Sequence, residues 1–140
     1  MLAVTIPDVK SLMNKLLKED VFDNFEARTV QVVSFSKFDI QGEAPWSKLR
    51  PFVLSIIKSG ERPKSFKLVL ALDKESTKEL HANAAVAFLN IQLEGEEIIC
   101  TTGTSQTNFA LDKSLDHVWE DYINNFFLQH NIITKREEEE

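Results

Sequence analysis

The chain has 140 residues, a length that suits one domain with a core of its own. With a hydrophobic fraction of 43% and a charged fraction of 27%, it is expected to pack rather than stay disordered. A net charge of −6 argues against indiscriminate binding to nucleic acid or anionic lipid, one cysteine cannot form an internal disulfide, and no apolar run approaches the ~20 residues of a membrane-spanning helix.

The start, MLAVTIPDVK, lacks the basic and apolar regions of an export signal, so a reducing cytoplasm is the expected location. Leu2 to Val4 reads as a short strand. Thr5-Ile6-Pro7-Asp8 then reads as a helix start, with Thr5 as cap, Pro7 in the first turn and Asp8 completing a capping box. Val9, Leu12, Met13, Leu16 and Leu17 form one apolar stripe of that helix. Phe22 and Phe25 anchor a turn. Thr29 to Phe35 is rich in β-branched residues and reads as a strand. Its alternation slips near Ser34–Ser36, which calls for a bulge or a second short strand ending at Gly42.

Pro45 to Ser59 is ambiguous. Leu49, Phe52, Val53, Ile56 and Ile57 fit a helical face, but Pro51 inside a helix costs about 3 kcal/mol. The preferred reading is a broken turn at Trp46–Leu49 and a helix from near Pro51, with Phe52 in the core. The rival is a strand over 52–57. Phe66 to Leu72 and Ala87 to Leu93 alternate as strands, and Glu94-Gly95-Glu96 turns the second into a hairpin with Ile98–Thr102. A loop over Gly103–Gln106, with a positive φ at Gly103, leads to a last short strand at Thr107–Leu111. Leu115, Val118, Trp119, Tyr122, Ile123, Phe126 and Phe127 then mark the longest helix, which closes the core with Trp119 and Phe126 buried. The fold class is α+β: a mostly antiparallel sheet packed by two to three helices, over a single domain of residues 1–134 with a charged, frayed tail at 135–140.

No stretch carries a catalytic, metal or cofactor signature. Thr101, Thr102, Gly103, Thr104 and Ser105 are the most site-like run, because hydroxyls and backbone N–H groups in a loop can cradle an anion; a tight turn uses the same residue types. Asp112 is explained as the cap of the last helix. His117 and Asp121 share a helix face but have no second pair with which to hold a metal. Cys100 lies in an apolar strand and reads as an inert buried thiol. The one asymmetry is basic. Trp46 to Lys67 holds Lys48, Arg50, Lys58, Arg62, Lys64 and Lys67 against Glu61 alone, a net +5, so the rest of the chain carries −11. Such segregation marks a surface for a polyanion or an acidic protein.

The runs WSKLRPFVLSIIKSGERPKSFKLVLAL (46–72) and LNIQLEGEEIICTTGTSQTNFALDKSLDHVWED (89–121) resemble a family of short proteins from clostridia and related Gram-positive bacteria, known only as a domain of unknown function. The N-terminal helix and Phe35–Gly42 fit the same pattern. The connection from Gly42 to Trp46 is shorter here, and Lys58-Ser59-Gly60 stands where the family has a lysine–glycine pair. The resemblance implies a cytoplasmic bacterial protein and no particular activity. The sequence therefore supports a non-enzymatic binding module with a basic patch. Its alternatives are a small enzyme using Thr101–Ser105 with Asp112 and Lys113, and a subunit of a homo-oligomer.

Overall fold

A computed structural model describes residues 2–34, 36–57 and 63–136. Among them the chain forms four helices and one seven-stranded antiparallel sheet. The elements run β1 (Ala3–Ile6), α1 (Val9–Leu17), β2 (Phe25–Val33), β3 (Lys37–Pro45), α2 (Trp46–Ile57), β4 (Ser65–Leu72), α3 (Lys74–Leu80), β5 (Ala84–Glu94), β6 (Glu97–Gln106), α4 (Ser114–Gln129) and β7 (Lys135–Arg136). The strand order is β3-β2-β4-β5-β6-β1-β7. Lys135 and Arg136 thus pair with Thr5 and Val4 at one edge of the sheet.

The period-2 pattern of the strands decides which face is dry. In register, Val30, Leu68, Ile91 and Cys100 form one row across four strands, with Val4 beyond. All are buried in one cluster that also takes in Leu12 and Leu16 of α1, Trp46 and Val53 of α2, and Trp119, Ile123 and Phe126 of α4. These three helices therefore cover one face. Lys67, between buried Phe66 and Leu68, points the other way and is exposed. Its row neighbours there are Gln31, Asp39 and Gln92, with Ile99 beyond, so this row of the second face is largely polar. Among the described residues no helix is long and apolar enough to cross a membrane.

Four local expectations need correction. Thr5 does not cap α1, because it is taken into β1 opposite Ile99; Asp8 caps instead, accepting a hydrogen bond from the Ser11 N–H at 3.0 Å. The slip near Ser34–Ser36 separates β2 from a second strand, as one of the two readings had it, but that strand, β3, runs past Gly42 to Pro45, and the irregularity within β2 lies between Ala27 and Thr29. Helix α2 is unbroken and passes through Pro51. Buried Trp46 at its start and Val53 beyond the proline hold both halves on the core, and the Trp46 indole N–H donates to the Leu16 carbonyl at 2.9 Å. That docking offsets the lost helix bond, and Phe52 turns outward at 53% exposure.

The fourth correction concerns Gly103. Strand β6 runs on to Gln106, Phe88 faces Gly103 across the β5–β6 ladder, and the glycine is not among the positive-φ residues. Pairing with the long β5 outweighs the turn preferences of Thr, Gly and Ser. The hairpin turn is at Gly95, whose φ of +61° is the conformation that favours glycine. Thr107 to Leu111 is then irregular chain rather than a strand. Along α4, Trp119 and Phe126 are buried, whereas Val118 and Tyr122 lie at the margin of the stripe and stay partly exposed.

Candidate docking groove between α1 and α2

Helix α1 leaves Val9 and Met13 only partly buried against the core, with Leu17 buried at the end of the same column. Leu12 and Leu16 point straight into the core. Val9, Met13 and Leu17, spaced four apart, form a column on the flank that faces α2. Leu54 and Ile57 of α2, with Pro63 beyond, form the opposite wall. The groove between them holds about 370 Å³, within the range of ligand and peptide sites. The next column on α1 is Lys10, Asn14 and Lys18, which lines the same groove. Lys10 and Lys18, eight residues apart, are separated by about 12 Å along the axis. Neither α1 nor α2 contains an acid, and together they hold Lys10, Lys15, Lys48 and Arg50. The walls are thus apolar at the floor and positive at the rim in a chain that is acidic as a whole.

Of the basic residues singled out from the sequence, those described do not all lie on one surface. Lys48 and Arg50 are in α2, in the helical layer, while Lys67 is on the opposite face of the sheet. Lys64 is exposed just before β4. Lys58 and Arg62 lie outside the described residues. Arg50 makes a forked ion pair with Asp23 at 2.9 and 2.8 Å, and that carboxylate holds its guanidinium still more firmly charged. The groove lysines Lys10 and Lys18 were missed. The signal for them was an amphipathic helix whose polar flank holds lysines and no acid.

The Thr101–Ser105 run is a paired strand, not a loop, and its hydroxyls serve the fold. Thr102 Oγ1 accepts from the Leu2 N–H at 2.9 Å, Thr101 Oγ1 accepts from Asn90 at 3.2 Å, and Thr104 donates to the Asp116 carboxylate of α4. Burial pushes the Cys100 thiol up to about 12, so it stays un-ionised at neutral pH.

One constellation was not foreseen. His81 Nε2 lies 2.9 Å from Ser114 Oγ, and Ser114 Oγ lies 2.5 Å from Asp112 Oδ1. This has the make-up of a nucleophile and base, but the tautomer is wrong. His81 Nδ1 accepts the Asn83 backbone N–H at 3.0 Å, so in the neutral ring the proton sits on Nε2. Nε2 then donates to Ser114, which donates to Asp112, and no lone pair remains there to take the serine proton. Asp112 also accepts from the Ser114 N–H at 3.0 Å, so it caps α4 from one residue before the formal cap, Lys113. These bonds from Ser114, with His81 adding a smaller attraction, hold its carboxyl below the usual range.

The model of a family of unknown function (DUF5721) matches residues 43–134. The chain belongs to that family. The match takes in α2 and everything through α4, whereas β1, α1 and β2 precede it, so one wall of the groove falls within the matched region and the other outside. No curated protein and no solved structure matches the chain.

Proposed function

We propose that the protein is a non-enzymatic interaction module whose α1/α2 groove takes an acidic, apolar-anchored segment of a partner protein. The supporting observation is the pair of parallel columns on α1: Val9, Met13 and Leu17 beside Lys10, Asn14 and Lys18. An amphipathic helix with acids along its apolar stripe is the complement of that arrangement, the helix-in-groove mode of recognition. Two lysines about 12 Å apart match acids spaced two turns apart, whereas a small anion would use one of them. This reading keeps the acidic-protein partner expected from the sequence but moves its seat from 46–67 to α1 and α2. A cytoplasmic location is part of the same proposal, supported by the free thiol of Cys100.

The test is a fluorescence-anisotropy titration with a labelled helix of about 16 residues built from Leu, Ala and Glu, long enough to fold on binding. Binding is expected in the micromolar range, weakened about tenfold by Met13→Glu or by Lys10→Glu/Lys18→Glu, and weakened further by added salt. Equal binding of the same peptide with Lys in place of Glu, or no binding, overturns the proposal. Dodecanoate competing at lower concentration than the peptide would replace the protein partner with a small amphipathic anion.

A further inference from the structure

The 107–113 segment between β6 and α4 holds the most exposed large apolar side chains among the described residues, Phe109 at 86% and Leu111 at 83%. The segment is fastened rather than loose. Asn83 donates to the Asn108 carbonyl at 2.8 Å and accepts the Asn108 N–H at 2.9 Å through its side chain, and its own carbonyl accepts the Thr107 N–H at 2.9 Å. Beyond Phe109, the Ala110 N–H donates to Gln106 Oε1 at 3.0 Å. The backbone is therefore held on both sides of Phe109, which lowers the entropy lost when its side chains are buried by a partner. Val118 and Tyr122 are partly exposed on α4, the helix that follows. Helix α4 contains Asp116, Glu120 and Asp121 and no Lys or Arg, and Asp112 and Lys113 just ahead of it cancel in charge.

We infer that the occupant of the α1/α2 groove is the 107–113 segment of a second copy of this chain, docked head to tail. The inference rests on the reading of the groove as a seat for an acidic, apolar-anchored segment and names its partner, with an extended segment that leads into the acidic α4 in place of a free helix. Charge favours the pairing: the groove is lined by Lys10 and Lys18, α1 and α2 contain no acid, and α4, which follows the segment, carries three acids and no Lys or Arg. Size agrees as well. Two residues of extended chain separate Phe109 from Leu111 by about 7 Å, which fits within the ~12 Å from Val9 to Leu17. Groove and segment are different patches of one molecule, so the contact is heterologous and leaves a free groove at one end and a free segment at the other.

Sedimentation velocity on the full chain from about 10 to 500 µM reads the association directly, over the range expected of a weak contact. The wild-type mean sedimentation coefficient is expected to rise with concentration. Leu111→Asp and Met13→Glu are each expected to remain monomeric. An equimolar mixture of the two is expected to form a 1:1 dimer and nothing larger, because only one groove and one segment are then intact. A wild type monomeric throughout, variants that associate like wild type, or a mixture that stays monomeric each overturns the inference. Leu111→Asp leaves the groove intact, so it is also titrated with the acidic peptide. If that variant binds the peptide while wild type does not self-associate, the groove reading stands and only the occupant is wrong. If it does not bind the peptide, the groove reading fails on its own terms.

Discussion

Gly103 shows how a residue's neighbours across a ladder outrank its own preferences. It sits in extended chain, and a Cβ added there meets nothing within 4 Å. Gly103→Ala is therefore expected to be neutral or to stabilise by about 0.4–1 kcal/mol, through the restricted unfolded chain; urea unfolding reads it, and a clear destabilisation would return Gly103 to a turn. Cys100 makes a second residue-scale prediction. Burial raises its thiol from an ordinary 9.0 to about 12. Above pH 9 the unfolded chain loses that proton before the folded one does, so this contribution to stability is complete below about 9 and falls away towards about 12. Between pH 8 and 10 the loss is about 1.4 kcal/mol. Cys100→Ala removes this part of the alkaline slope, and unfolding free energies of both proteins at the two pH values test it.

At the scale of elements, α4 is the closing piece of the core. Its Phe126 ring packs edge-on at 5.2 Å from Phe22 and 5.3 Å from Phe25, and its Trp119 indole N–H donates to the Phe88 carbonyl at 2.7 Å. Truncating either Trp119 or Phe126 to Ala is expected to cost about 3–5 kcal/mol in urea unfolding; a loss below about 1 kcal/mol would contradict the packing described. This helix was plain in the sequence because seven apolar residues follow one stripe. Strands β4 and β5 were plain because each alternates over its whole length. Helix α2 was obscured by Pro51, whose cost is local while the anchors that offset it, Trp46 and Val53, are tertiary. The groove was obscured for a related reason. Val9, Leu12, Met13, Leu16 and Leu17 read as one stripe, and only the packing of α2 divides it into a core side and a groove side.

For the whole molecule, the layering sorts its surfaces. Helices cover one face of the sheet, and the other face carries a largely polar row with Gln31, Lys67 and Gln92. The basic residues of 46–67 are a true feature of composition, but α2 and β4 carry Lys48 and Lys67 to opposite sides of the sheet, so these two ends of the run do not meet in one patch. What brings charge and apolar surface together is the meeting of α1 with α2.

Amide hydrogen exchange of the full chain, with and without a saturating acidic Leu/Ala/Glu helix, tests that meeting point most directly. The account predicts added protection over α1 and over α2 from Leu54 to Ile57, with β4 and β5 unchanged. Protection confined to the polar row of Gln31, Lys67 and Gln92, with α1 unchanged, would contradict it.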